Sequence, residues 1–586
     1  MKAIWSRVLA VCLCLLLAGC GQDPVSVPEN VQSGSRQESR QESQQSAEAS
    51  GETSGPHYEL LDPVASHPDS EIQLPRSSYV QYPVASEETL SYWLSLPGLV
   101  QSGSGSVQET AWAAGWQEAT GIGIRFLSPA FGNETEEFRT MAASGSWSDI
   151  IQWDWRSSYP GGFAMARKDG VFTGLDDYIA PDGAAADLWQ FLQDNPRIRQ
   201  QVLDDVGQYY CFPYIRGSKY LGGMSGPILR GDLVQEAGFA VMPETIEDWE
   251  RLLRNLKSMG VEYPVTAQNL KQLEALFLPA YSTRAGMCLD QDGKVRCGYE
   301  TKNYRMFLVQ MQKWRQEGLL DPFLFTNEKR AVTQNMLRGY SAVTYGSVGE
   351  TLETYLGAVR DAPDGTYPAG IRFITANFPV MGKGQSPHYA QAALEYDGSA
   401  SCMISSQCRA PEVAARFLNY AYSREGHYRM NYGKEGESWE WTQEGPAYTA
   451  LVTDYETSGW VSLASAIAHY GMANLSGPFV QDGGYVFQYY DAPEQQKALH
   501  NWNDYQDSQR TLIPPILLTE TEQKVYEQSM GQIEEYVSDQ CISWFRGEGS
   551  PEEEWQQYLQ GLEDRGLSVC KEIIAAAVES YEHRPR

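Results

Sequence analysis

Positive charge is scarce in this chain: 45 Lys and Arg stand against 75 Asp and Glu, a formal net charge of −30. A nucleic-acid partner would need a basic stripe, so none is expected, and the acidic surface is otherwise the ordinary solvated one. Histidine is rarer still, with seven among 586 residues. None is followed by Glu and none lies close to another in sequence, which excludes the helical zinc-protease motif. There is no Gly-rich loop closing on Gly-Lys-Ser/Thr, so the chain does not hydrolyse ATP through one. After residue 20 no apolar run is long enough to span a bilayer, and no repeat of solenoid or propeller period occurs. An EF-hand loop opening at Asp290 would need Gly sixth and Glu twelfth but finds Val295 and Thr301, so Asp290-Gln-Asp-Gly293 reads as a hairpin turn. Gly222-Gly-Met-Ser-Gly226 is only loosely a nucleophile elbow, because Pro227 occupies its second glycine position; it reads as a bend. No catalytic residue, cofactor or metal is therefore expected. A carboxylate pair for glycoside hydrolysis stays open, since such pairing is spatial and the chain has acids to spare.

What is present begins with a targeting signal. Lys2 and Arg7 precede an apolar run from Val8 to Leu16 that is too short to span, so residues 1–19 read as a secretory signal. It ends in Leu17-Ala18-Gly19-Cys20, which resembles the bacterial lipobox; the resemblance implies cleavage before Cys20, acylation of its sulfur and an extracytoplasmic protein held on the cell membrane. Residues 20–78 are expected to be the lipidated Cys and a tether rich in Ser, Gln and Glu. The stretch 21–57 in particular has almost nothing to bury, and as a coil of ~37 residues would reach on the order of 30 Å. Seven cysteines follow, and Cys288 with Cys297 flank the hairpin turn; whether they are bridged stays open at this level.

A chain of 586 residues exceeds one core, so two or more domains or lobes are expected. Strands are read at Leu90–Leu96, Gly121–Phe126, Asp149–Ile151, Cys211–Arg216, Gly226–Arg230, Ala342–Gly346 and Phe373–Pro379, with a helix over Trp112–Ala119. Thr245-Ile-Glu-Asp248 is a capping-box variant ahead of Trp249, Leu252, Leu253 and Leu256; a second helix uses Tyr304, Phe307, Leu308, Met311 and Trp314. Pro411 opens another helix. Thr519-Glu-Thr-Glu522 and Ser550-Pro-Glu-Glu553 read as capping boxes of closing helices, the first carrying Val525, Ile533, Val537 and Cys541. Strands alternating with helices, then a helical tail, imply α/β bodies with helical additions.

The most suggestive stretch is 138–155. Phe138, Met141 and Ala142 give one apolar face to a short helix that Gly145 stops, a buried strand follows, and Trp153, Asp154 and Trp155 come directly after it. In open α/β sheets ligands bind outside the carboxyl ends of strands, where two indoles and a carboxylate would make a stacking platform with one polar anchor. The competing reading makes both Trp residues core filler, but two Trp at i and i+2 of an extended segment share a face while Asp154 points the other way.

Several separated segments resemble the extracellular solute-binding proteins of ABC importers, in particular the large lipoprotein members associated with oligosaccharide uptake. Met141-Ala-Ala-Ser-Gly-Ser-Trp-Ser-Asp-Ile-Ile151 is similar to the family's Ala-Ser-Gly-Asp-x-Pro-Asp-Ile segment, with Ser146 and Ser148 in place of Asp and Pro. Ile228-Leu-Arg-Gly-Asp232 through Pro243-Glu-Thr245, Gly339–Gly346 and Asn431-Tyr-Gly-Lys-Glu-Gly436 resemble three further family segments. The resemblance implies a two-lobed periplasmic-binding-protein-like α/β fold of type II with additional C-terminal helices. Lobe 1 would comprise residues 79–212 and 349–405, and lobe 2 residues 213–348 and 406–586. By position it places Trp153, Asp154, Trp155, Tyr214, Arg216, Tyr345, Asn431, Tyr432 and Trp439 around the interlobe cleft. It further implies a monomeric, non-enzymatic receptor that hands an oligosaccharide to ABC transporter permease subunits. Glycoside hydrolysis, or binding of peptides or another small solute, are the alternatives.

Overall fold

The computed structural model describes residues 72–586 apart from 160, 161, 364 and 505, so the signal peptide, Cys20 and most of the tether lie outside the described residues. Residues 72–78, at the expected end of the tether, lie against the protein: Gln73 N donates to Asn195 Oδ1 (2.8 Å), and Ser77 O accepts from Arg424 N (3.0 Å).

The strands are β1 (Thr89–Leu94), β2 (Gly123–Leu127), β3 (Ile150–Gln152), β4 (Phe212–Arg216), β5 (Ser225–Arg230), β6 (Met287–Leu289), β7 (Val295–Cys297), β8 (Val343–Ser347), β9 (Phe373–Thr375), β10 (Tyr396–Ile404), β11 (Trp439–Thr442), β12 (Gly445–Tyr448) and β13 (Val480–Gln481). A six-stranded sheet has the order β13-β4-β10-β3-β1-β2. Five of its strands point the same way, and β10 runs antiparallel between β3 and β4. The carboxyl ends of β1, β3, β4 and β13 therefore gather along one edge, together with the start of β10. The sheet is covered on both sides, which is why β1 reads Tyr-Trp-Leu without alternation. Trp116, from the helix Ala111–Thr120, stacks on Phe417 with centroids 4.2 Å apart and donates its Nε1 to the Phe417 carbonyl (3.0 Å).

A second sheet, β8-β5-β9, is antiparallel and separates two cores. On one side Leu229 and Val343 join Trp249, Phe277, Trp314 and Trp544, the last from the long helix Glu520–Phe545. On the other, Ile228 and Phe373 join Tyr355, Tyr432, Trp439 and Trp502. The expected capping boxes at Thr245 and Thr519 form, with Asp248 and Glu522 as partners. The third does not. Ser550 Oγ accepts from Glu553 N (3.2 Å), but residues 551–554 are a turn and the helix starts at Trp555, one turn later than the motif implies. Val525 also departs from its expected stripe and lies 38% exposed.

Two segments, 217–224 and 376–395, run between the two sheets. A third leaves β13 for the helix Pro493–Asn503, which packs on β5 and β9. Phe373–Thr375, placed in lobe 1 by the sequence reading, pairs with β5, whereas residues 414–422 and 468–480 contribute to the core of the six-stranded sheet. The chain end returns to that sheet's side: Arg584 Nε donates to Asp205 Oδ1 (2.9 Å) and Arg199 Nη1 to the Arg586 carbonyl (2.9 Å).

All seven cysteines among the described residues are free and buried. The hairpin between Cys288 and Cys297 forms, but its register sets Cys288 opposite Arg296 and Cys297 opposite Met287. Side chains alternate across a ribbon, so the two thiols face opposite sides and cannot bridge.

Candidate functional site

The helix Glu134–Ser144 carries Phe138 inward and ends where Gly145 takes φ 64°, releasing the chain into β3. At the carboxyl end of β3 lies a cavity of ≈ 450 Å³, lined by Ser95, Gln152, Trp153, Ser399, Asn474 and Ser476 among others. Trp153 enters it from a bed of aromatic rings, stacked on Phe138 (5.6 Å) and edge-on to Trp93 (5.3 Å). Two buried polar atoms of lining residues, Trp153 Nε1 and Asn474 Oδ1, have no hydrogen-bond partner among the described residues. A buried donor and acceptor left open cost free energy unless a ligand or water completes them. Gln152, by contrast, is committed: its Oε1 accepts from Tyr92 Oη (2.7 Å) and its Nε2 donates to the Ser476 carbonyl (3.0 Å).

Trp155 is not Trp153's companion on one face. The extended segment ends at Gln152 and a short helix, Trp155–Ser158, starts two residues on, so period-two alternation no longer applies. Asp154 caps that helix, accepting from Ser157 N (3.2 Å) and Ser157 Oγ (2.5 Å). The Trp155 ring is 2% exposed, packed between Phe138, Trp147 and Phe172, and lines a separate cavity of ≈ 90 Å³ with Tyr396 and Leu517.

Arg216 closes β4 at the same edge. Its guanidinium pairs with Asp397 at the start of β10 and donates to the Leu394 carbonyl (3.1 Å), leaving the pair partly exposed. Tyr214 lies below, its Oη donating to Gln481 Oε1 (2.7 Å), and burial raises its phenol well above the usual range. Asn431 is fully buried and holds a helix to β13: Nδ2 donates to the Val480 carbonyl (2.9 Å) and Oδ1 accepts from Asp482 N (2.8 Å). Tyr432 and Trp439 are buried with ring centroids 5.9 Å apart, and Trp439 Nε1 donates to the Gly433 carbonyl (3.0 Å).

On the smaller sheet, Tyr345 stands between two cavities. One, of ≈ 200 Å³, has Ser225, Gln268 and Ser347 in its wall; the other, of ≈ 290 Å³, has Arg284, Tyr389 and Gln391. Ser225 opens β5 straight after a crossing segment, and Tyr389 with Gln391 belong to another, so both cavities adjoin the connection between the sheets. Glu274 lines the larger of the two. Burial pushes its carboxyl up to about 7 although Tyr304 Oη donates to it (2.6 Å).

Of the nine residues expected around a cleft, the structure therefore places Trp153, Arg216 and Tyr345 at cavities or at the sheet edge. Trp155 is buried beside a separate small cavity, Asn431, Tyr432 and Trp439 lie in packed interior, Asp154 in a cap and Tyr214 beneath the edge. Ser399, Asn474, Arg284 and Gln391 were not anticipated. The first comes from a polar, Gly-containing strand, and the others carry no local pattern.

The sequence profile of the bacterial extracellular solute-binding proteins matches residues 101–428. No curated protein matches the chain in sequence. Among solved structures, a human-milk-oligosaccharide (HMO) binding, ABC-transporter-associated solute-binding protein from Bifidobacterium longum infantis is 16% identical with a TM-score of 0.66, over 85% of this chain and 99% of that one. The S. pneumoniae ABC-transporter substrate-binding protein FusA, in complex with kestose, is 17% identical with a TM-score of 0.61 (84% and 99% covered). The alginate-binding protein AlgQ2 is 18% identical with a TM-score of 0.59 (84% and 98% covered). These likenesses establish a periplasmic-binding-protein-like α/β fold, and the profile spans more than half of the sequence: the chain belongs to the bacterial extracellular solute-binding proteins.

Proposed function

We propose that this protein is a membrane-anchored receptor that captures a carbohydrate between its two sheet-bearing lobes and delivers it to the permease subunits of an ABC importer, catalysing nothing itself. The observation that carries the reading is the ≈ 450 Å³ cavity at the carboxyl edge of the six-stranded sheet. There the Trp153 indole stands beside Ser95, Ser399, Ser476 and Asn474. Aromatic faces stack on the apolar faces of sugars while such polar groups bond hydroxyls. The oligosaccharide and polysaccharide ligands named for the related structures support the same class.

In this reading Trp153, Arg216 and Tyr345 touch ligand, while Trp155, Asn431, Tyr432 and Trp439 hold the walls in place. Ligand shifts an open–closed equilibrium by its greater affinity for the closed form, with the segments 217–224 and 376–395 as hinges. Cys20 carries the lipid, and the protein acts as a monomer.

The test is tryptophan fluorescence and thermal shift of the mature chain carrying Cys20→Ala, screened against oligosaccharides and peptides with product analysis alongside. Saturable stabilisation by a glycan without turnover supports the receptor. Appearance of cleaved sugar would move the assignment to a hydrolase, and a response to peptides alone would replace the ligand class. For the anchor, release of the Cys20→Ala protein into the medium is expected, where the native chain sediments with membranes.

A further inference from the structure

Among the described residues, Arg284 is a cation whose surroundings ask for something the protein does not supply. It lines the ≈ 290 Å³ cavity beside Tyr345, and burial lowers the pKa of its guanidinium. Among the described residues its hydrogen bonds all leave from Nη2, to the Ala390 carbonyl (3.0 Å) and Thr511 Oγ1 (3.3 Å). Nε is buried without a partner, and no carboxylate is among the groups that act on its charge. A guanidinium partly withdrawn from water without a counter-charge is costly, and its planar fork fits a carboxylate.

The position is also held in place. Ser282, two residues earlier, is the one non-glycine with positive φ (52°) among the described residues, a conformation that persists only where surroundings enforce it. Gly298 supplies part of that enforcement: a Cβ there would stand 1.5 Å from the Arg284 carbonyl oxygen, so only glycine fits against this turn. The acids on the wall are otherwise engaged. Glu534 pairs with Lys271 (3.1 Å), and Glu274 accepts from Tyr304 Oη (2.6 Å). Glu274 is moreover only partly ionised near neutral pH, its carboxyl having been pushed up to about 7 by burial.

We propose that Arg284 receives a carboxylate of the ligand in this cavity, so that the preferred glycan carries acidic sugar units. The proposal rests on the carbohydrate-receptor reading above and specifies its ligand class. Nε is enclosed and Nη2 is engaged, so the edge of the guanidinium left to donate to a carboxylate oxygen is Nη1, which makes no hydrogen bond among the described residues, while Tyr389 and Gln391 supply further polar groups on the same wall.

The experiment is calorimetric titration of the mature Cys20→Ala chain with oligogalacturonates and sialyllactose, each beside its neutral counterpart: the carboxyl-reduced oligomer and lactose. At least one acid is expected to bind at least about thirtyfold more tightly than its neutral form, because truncating one side of a desolvated charge pair typically costs that much. Arg284→Gln should erase the difference, and Arg284→Lys should restore part of it. The comparison between acidic and neutral ligands needs no variant, so it stands even if Arg284→Gln folds poorly. If neutral glycans bind as well as acids, this proposal falls and the receptor reading stands. If peptides bind and every glycan is silent, both fall.

Discussion

Glu274→Gln offers the sharpest test of how this interior is built. The Glu274 side chain is 4% exposed, and burial displaces its carboxyl from 4.5 to about 7. At about 1.36 kcal/mol per pKa unit the displacement corresponds to about 3 kcal/mol. The sign follows from where each state holds its proton. Below pH 4.5 both the folded and unfolded chains are protonated, and the group costs nothing. Between pH 4.5 and 7 the unfolded chain has released its proton while the folded one retains it, so stability falls as pH rises. Above pH 7 the full cost of about 3 kcal/mol is in place. Glutamine keeps an oxygen for Tyr304 Oη and never ionises. The variant should therefore match the native protein near pH 4 and exceed its unfolding free energy by up to about 3 kcal/mol at pH 8. Urea unfolding across that range measures it, with the difference between the two curves as the readout. Parallel curves, or a variant weaker at every pH, would refute the assignment of a charge-penalised carboxyl at this place.

Other expectations follow from the placement of single side chains. Trp153→Ala should weaken sugar binding about tenfold or more by loss of a stacking face, read by titration calorimetry, while leaving the fold largely intact. Trp155→Ala should instead destabilise by about 3–5 kcal/mol, since its ring is 2% exposed and a cavity would remain. Asn431→Ala opens the Val480 carbonyl and the Asp482 amide and should cost about 2–3 kcal/mol in denaturant unfolding. Arg584→Ala removes the chain-end clamp on Asp205; because Asp205 is 35% exposed and can rehydrate, the loss should stay near 2 kcal/mol, seen as a lowered thermal midpoint.

How far the sequence anticipated this structure depends on whether the determining forces are local. The helix carrying Tyr304, Phe307, Leu308, Met311 and Trp314 is legible because its period alone says which face is inward, and all five are buried. Thr245 and Thr519 declare their helices through hydrogen bonds to residues three positions on. β10 was not legible. Asp397-Gly-Ser-Ala-Ser401 is small and polar and resembles a loop, yet it is held inside β10 by pairing on either side of it: β4 bonds Tyr396 and Asp397 and, after a register shift, Cys402, while β3 bonds Cys402–Ile404. That is tertiary pairing overriding local preference. The site divides in the same way. Trp153 follows from the rule for strand ends, whereas its supposed companion Trp155 was misjudged because a helix begins where alternation was assumed to continue. Asn474 and Arg284 owe their interest to single atoms, Oδ1 and Nε, that find no partner among the described residues, which no sequence pattern records.

The seven thiols, each buried and unbridged, bear on how this protein can be made and used. Its fold asks nothing of an oxidising compartment, so the mature chain should assemble equally well in a reducing cytosol. Among the described residues it also presents no accessible native sulfhydryl. In the Cys20→Ala chain a single cysteine introduced on a crossing segment would then be the site open to a maleimide dye, turning the proposed closure of the lobes into an optical signal without replacing the seven buried cysteines.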